Sequence, residues 1–188
     1  MEPIMQFRIY QIDAFTSEIF KGNPAAVVPL ESWLPDAAMQ SIAIENNLSE
    51  TAFFVRNSAG VFEIRWFSPL KEIDFCGHAT LASAYVIFSG NQDISSITIW
   101  AKAVGNLSVT KLDRGLMEMS FPRREPVPLD AIPSSLLEGL SIRPTEVLKS
   151  QQAYFAVYDS EQQVRAVVPR LEKLLELGPL DEIGRAHV

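Results

Sequence analysis

DFCGHATLASAYVIF, residues 74–88, places the chain's single cysteine, Cys76, two positions before His78 and then runs into small and apolar residues. From Ala79 to Phe88 the run is apolar nearly all the way round a helix, and Gly90 is placed to close it. A helix with no polar face must be wrapped by other structure. At ten residues it is about half of the roughly 20 needed to span a membrane, so the reading is a core helix. The fold turns on what surrounds it.

The flanking segments read mostly as strands. MQFRIYQIDAF (5–15) and AAVVPL (25–30) are apolar and β-prone, and Gly22-Asn23-Pro24 between them marks a tight loop. TAFFVRN (51–57), a turn at 57–60 and VFEIRWF (61–67) form a hairpin in which Phe62, Ile64 and Trp66 alternate with Glu63 and Arg65. SSITIWAK (95–102), NLSVTKLD (106–113) and GLMEMSFP (115–122) continue the series. A second helix is expected over 35–47, with Pro35 in its first turn and Met39, Ile42, Ala43 and Asn46 on one face. The simplest arrangement is α+β, a strongly curved sheet enclosing one central helix.

Downstream, PRREPVPLDAIP (122–133) is proline-punctuated and reads as a linker. AYFAVYDSEQQVRAVVP (153–169) then lines up with AFFVRNSAGVFEIRWFSP (52–69) as strand, polar turn, strand and proline, a weak internal repeat. The second copy has no counterpart of DFCGHATLA. The expected organisation is a first domain over 1–121, a linker over 122–133 and a partial second domain over 134–181. The last seven residues, EIGRAHV (182–188), fit no helix or strand pattern and equal the translation of the sequencing adapter GAGATCGGAAGAGCACACGTC, so they are expected to be non-native.

Composition narrows the partners. Sixteen basic against 23 acidic residues leave a net charge of -7, which disfavours nucleic acid and anionic membranes. One cysteine forms no internal disulfide, and the N-terminus lacks a signal-peptide pattern, so a cytoplasmic protein is expected. No Gly-x-Gly-x-x-Gly fingerprint or phosphate-loop lysine points to a nucleotide.

His78 at a helix entry is either ordinary turn structure or part of an anion pocket made with the free N–H groups of Gly77, His78 and Ala79. A metal is a poor fit, because the other histidine, His187, lies in the last five residues and one cysteine is too few. Cys76 is either a small buried residue or a base or nucleophile favoured by the helix start. A histidine two residues away on the same turn is expected to be badly placed to activate it. Glu45, off the apolar stripe beside Ala38 and Ser41, reads in isolation as a solvated helix carboxylate.

YQIDAFTSEIFKGNPAAVV, IAIENNLSETAFF and RWFSPLKEIDFCGHATLASAYVIF, in this order and spacing, resemble the N-terminal half of the phenazine biosynthesis PhzF-like proteins. The resemblance implies the diaminopimelate epimerase fold: two similar domains, each a curved mixed sheet around a helix, with the second truncated here. It implies a cofactor-independent isomerase acting on a small carboxylate-bearing metabolite, and it allows a homodimer of the full-length form. It makes Glu45 the general acid/base and Gly77 and His78 the substrate-binding turn. Cys76 falls where related epimerases carry a catalytic cysteine. The family's second motif, a Gly-Glu-Asp-Pro-like run followed by Thr-Gly-Ser, has no match here, so this chain by itself is expected to be inactive and to expose apolar surface. Two alternatives stand beside the isomerase: a cysteine-dependent epimerase or racemase using Cys76, and a non-catalytic metabolite-binding protein using the His78 pocket.

Overall fold

The computed structural model describes residues 6–178 and 180–186. Two compact units divide the chain, Met1–Pro122 and Arg123–Val188.

In the first unit the elements follow in the order β1 (Tyr10–Ala14), β2 (Asn23–Leu30), α1 (Asp36–Asn46), β3 (Glu50–Arg56), β4 (Phe62–Phe67), β5 (Glu72–Ile73), α2 (Gly77–Gly90), β6 (Ser96–Ala101), β7 (Gly105–Lys111) and β8 (Met117–Ser120). One mixed sheet holds all eight strands in the order β1-β2-β3-β4-β6-β7-β8, with β5 paired to β4. Two neighbouring pairs, β2 with β3 and β4 with β6, are parallel. A parallel pair needs a crossover, and α1 and α2 lie in those two connections.

Alternation along β2 and β3 decides which helix each side chain meets. Ala25, Val27, Ala52 and Phe54 join α2's Ala79, Ala82, Ala84, Ile87 and Phe88 in the larger core, which also takes Ile64, Trp66, Ile99, Leu107 and Val109. Val28, Leu30, Phe53 and Val55 turn the other way onto Met39 and Ala43 of α1. Both faces of the central strands are therefore covered, and the sheet curls around α2 as the apolar run requires. Small residues let the strands approach this helix closely. Its buried hydroxyls bond back along the helix, Thr80 to the Cys76 carbonyl at 2.6 Å and Ser83 to that of Ala79 at 2.8 Å.

Some boundaries differ from the sequence reading. The first strand starts at Tyr10, and Asn23 and Pro24 belong to β2 rather than to a loop. Gly22 is required for close approach, since a Cβ there would run into the Ala14 carbonyl oxygen.

The second unit has a four-stranded sheet in the order β12-β11-β10-β9. Its strands are β9 (Val127–Pro128), β10 (Glu146–Lys149), β11 (Ala153–Tyr158) and β12 (Asp181–Ala186), and its helices are α3 (Ser134–Gly139), α4 (Glu161–Ala166) and α5 (Leu171–Leu174). Leu136, Val147, Tyr154 and Leu177 form its core. Three expectations need correction. The segment read as a linker contributes the short strand β9. The repeat holds for one strand only, because 161–166 is helical: the Ser160 hydroxyl accepts from the Gln163 N–H at 3.3 Å and the Gln163 side chain accepts from the Asp159 N–H at 3.0 Å, a reciprocal cap. Residues 182–186 of the stretch read as patternless pair, with Asp181, in parallel with β11. An open strand edge can recruit a segment whose own sequence has little strand character.

Candidate functional site

At one end of the first unit, the starts of β2, β3 and α2 converge. Two connections bring them there. Residues 47–49 link α1 to β3, with Asn47 in the left-handed region (φ 51°) closing the helix and its N–H bonded to the Ala43 carbonyl at 3.2 Å. The Asn46 amide donates to the fully buried Thr51 hydroxyl at 3.3 Å, which ties the last turn of α1 to the head of β3. Glu45 and Glu50 thus stand on either side of one short connection. Cys76 is the residue just before α2, in extended conformation, and Gly77 and His78 begin the helix.

The closest grouping is Glu50, Cys76 and His78. Cys76 Sγ lies 3.3 Å from His78 Nδ1. On the other side of the ring, Nε2 lies 3.2 Å from Glu50 Oε2, within ion-pair range. That approach is not aligned for a hydrogen bond, so both atoms are buried without a hydrogen-bond partner among the described residues. The His78 side chain is 10% exposed and that of Glu50 19%. The backbone carbonyl of Pro24, at the start of β2, is a further acceptor for the ring.

Burial depresses the basicity of His78 most strongly, against the opposing pull of the Glu50 charge and the Pro24 carbonyl. The neutral imidazole is therefore the resting form near neutral pH. Cys76 is pushed up to about 12, first by burial and then by the Glu50 charge, against the N–H groups of Ala79 and His78, which favour the thiolate. The helix start that could favour a thiolate is outweighed by burial and then by the Glu50 charge beside it.

Ligand atoms of Glu50, Cys76 and His78 all lie within 4.8 Å of one another. The thiol lies beside both Nδ1 of the ring and the Glu50 carboxylate, so the three groups form one mutual cluster.

Each residue singled out in the sequence has a definite place. Glu45 sits in the last turn of α1 and is exposed. Gly77 is half-buried, and a Cβ on it would lie 3.7 Å from the Met119 methyl and 4.0 Å from the Phe75 ring, an ordinary contact. Phe75 meets Trp66 edge-to-face and Phe121 at a tilt, giving the turn an apolar flank. His78 points inward rather than outward. The expectation that it is badly placed for the thiol is corrected: the bend between the extended Cys76 and the first turn of α2 brings Sγ to Nδ1. His187 lies outside the described residues.

Glu50 is the participant that sequence reasoning passed over. Its signal was a carboxylate at the head of a strand with an apolar centre, AFFV, five residues beyond Glu45.

A family model described as phenazine biosynthesis-like protein matches residues 12–181. An uncharacterized isomerase of Pseudomonas aeruginosa is 45% identical over 170 residues, covering 90% of this chain and 64% of that protein. The crystal structure of a phenazine biosynthesis protein of the PhzF family from Enterococcus faecalis superposes with a TM-score of 0.77 at 40% identity, over 90% of this chain and 64% of that one. A predicted epimerase from Pseudomonas aeruginosa shares the fold with a TM-score of 0.69 at 22% identity, covering 93% of this chain and 68% of that one. The chain thus spans just under two thirds of the length of its curated relative.

Proposed function

This chain belongs to the phenazine biosynthesis-like family, and from that premise we propose that the full-length protein is an isomerase that moves a proton on a small carboxylate-bearing metabolite by general acid/base catalysis, without a cofactor. The relatives' description as isomerases supports the reaction class. The single observation that carries the reading to this chain is the convergence described above, in which the residues 47–49 connection sets Glu45 at the end of the unit where α2 begins.

In this reading the substrate carboxylate docks at the Gly77–His78 turn, where the helix start offers N–H groups and positive potential. Glu45 takes a proton from an activated carbon and returns it at another position, which positioning of the substrate makes effective. Glu45 is exposed here; the reaction needs it covered, so that its carboxyl is desolvated and holds a proton near neutral pH. The covering wall belongs to the longer protein, and the present chain alone is inactive.

The test is solvent exchange. Full-length protein incubated with candidate carboxylates in D2O should place deuterium on carbon, read by mass spectrometry, and Glu45→Gln should lower that rate by about 10²–10⁴-fold. Exchange at the wild-type rate in Glu45→Gln would overturn the reading.

A second reading, a cysteine-dependent epimerase, is favoured by the 3.3 Å contact of Cys76 with His78. In that case Cys76→Ala would abolish exchange while Glu45→Gln would leave it intact. Ligand binding with no exchange under any condition would instead favour a non-catalytic metabolite binder.

A further inference from the structure

Glu50 has no part in the reading above, yet its carboxylate closes a cluster with the turn that begins α2. Glu50 Oε2 and His78 Nε2 lie 3.2 Å apart, both buried and both without a hydrogen-bond partner among the described residues. The His78 side chain is only 10% exposed, so its ring nitrogen is aimed into the cluster and away from solvent. A carboxylate oxygen and a ring nitrogen buried unpaired are costly, and such orphans call for a bound water or ion.

Distance separates those two. A hydrogen bond between the atoms themselves needs the oxygen on the axis of the ring N–H, and it lies off that axis. A water about 2.8 Å from each, with a near-tetrahedral angle, would hold them about 4.6 Å apart. An ion about 2.0–2.1 Å from each would hold two ligands about 3.3–3.4 Å apart, the second to the side of the ring axis. The observed 3.2 Å matches the ion. Cys76 offers a third ligand, since its thiol lies 3.3 Å from the ring and bonds to the Glu50 carboxylate, and ligand atoms of all three residues fall within 4.8 Å of one another. Reaching the about 3.6 Å spacing of sulfur and nitrogen on one zinc ion takes a swing of the thiol of about 1 Å, a change in one side-chain torsion.

We propose that Glu50, Cys76 and His78 form a site for one borderline-soft divalent cation of the Zn²⁺ class, held by Glu50 Oε2, His78 Nε2 and the Cys76 sulfur, with the fourth position taken by water. The ring binds through the Nε2 lone pair with its proton on Nδ1. Coordination releases the thiol proton to solvent, and the two charges of the cation then balance carboxylate and thiolate in a buried place. Nitrogen, sulfur and a single carboxylate suit Zn²⁺ and Co²⁺, whereas Mg²⁺ and Ca²⁺ need a fuller set of oxygens. The sequence expectation against a metal counted histidines and cysteines; the carboxylate from β3 is the ligand that such a count leaves out. Bound here, the ion ties the head of β3 to the start of α2 and stabilises the folded chain by mass action.

The experiment uses no substrate, so it stands apart from the isomerase reading. The chain carrying His187→Ala, which leaves His78 as its one histidine, is titrated with Co²⁺ at neutral pH. A sulfur-to-cobalt charge-transfer band and the visible bands of tetrahedral cobalt should saturate at one ion per chain, and Zn²⁺ should displace them. Because Cys76 is the only cysteine, the charge-transfer band reports on it alone, and Cys76→Ser should remove it. Zn²⁺ should raise the melting temperature and Mg²⁺ should leave it unchanged. Glu50→Gln and His78→Gln, with near-ultraviolet circular dichroism retained, should each weaken Zn²⁺ binding by more than the about 10–100-fold that loss of an outer partner costs. A folded chain with no sulfur-to-cobalt band, Zn²⁺ half-saturation above about 0.1 mM, or a folded Glu50→Gln chain that binds as wild type overturns the proposal. Should the variants fail to fold, the cobalt titration of the chain with Glu50 and His78 intact decides.

Discussion

Only 7% exposed and pushed up to about 12, Cys76 stays a thiol across the range in which an unfolded cysteine, near 9.0, loses its proton. Between those values the native state binds more protons than the unfolded state, so stability falls as pH rises from about 9 toward about 12, by at most about 1.4 kcal/mol per pH unit. The denaturation midpoint should drop between about pH 8 and about pH 10, and Cys76→Ala should flatten that part of the profile. His78 acts at the other end. Its folded basicity lies below the ordinary value of 6.5 because of burial, so the unfolded state takes up the proton first and stability declines as pH falls below about 6.5. His78→Gln should weaken this acid dependence. At Gly77, a methyl group fits at van der Waals distance, so Gly77→Ala should leave the melting temperature within a few degrees while raising the substrate KM of the full-length enzyme.

At the scale of elements, the β1–β2 connection is the tightest construction in the first unit. Phe15 and Phe20 both adopt positive φ, 65° and 66°, and Asp13 Oδ2 accepts from the Phe20 N–H at 2.8 Å to hold the turn. Gly22 passes directly under the Ala14 carbonyl, so Gly22→Ala forces the two strands apart and should cost about 2–3 kcal/mol in denaturant unfolding. In the second unit the Ser160 cap fixes the start of α4, and Ser160→Ala should remove about 1 kcal/mol from that unit's stability. The Ser-x-x-Gln spacing was present in the sequence, and it is the signal by which the helix at 161–166 could have been distinguished from a second strand. The matching strand 153–158 made the repeat persuasive. The pattern beyond it was local capping chemistry, which a strand alignment does not weigh.

For the whole molecule, the described residues leave several large apolar side chains in solvent, including Phe15 at 72%, Ile19 at 76%, Phe20 at 89% and Leu70 at 91% exposure. Single exposed apolar residues are ordinary, but clustered ones in the 15–22 connection favour association. Sedimentation velocity should show the sedimentation coefficient rising with concentration, and Phe20→Ser combined with Ile19→Ser should reduce the rise. A concentration-independent monomer would count against this. No helix among the described residues is long and apolar enough to cross a membrane.

The sequence by itself determined the fold class of the first unit, because a helix without a polar face admits few solutions other than enclosure and the flanking alternation supplied the strands to enclose it. Its IENNLSET and CGH stretches carry the family resemblance. Tertiary structure alone decided how the groups of the candidate site are paired. Cys76 and His78 looked like neighbours too close to cooperate, and Glu50 was passed over. The bend into α2 and the docking of β3 bring thiol, imidazole and carboxylate into one cluster. Side-chain direction and loss of water set that arrangement, and neither is written in residue spacing.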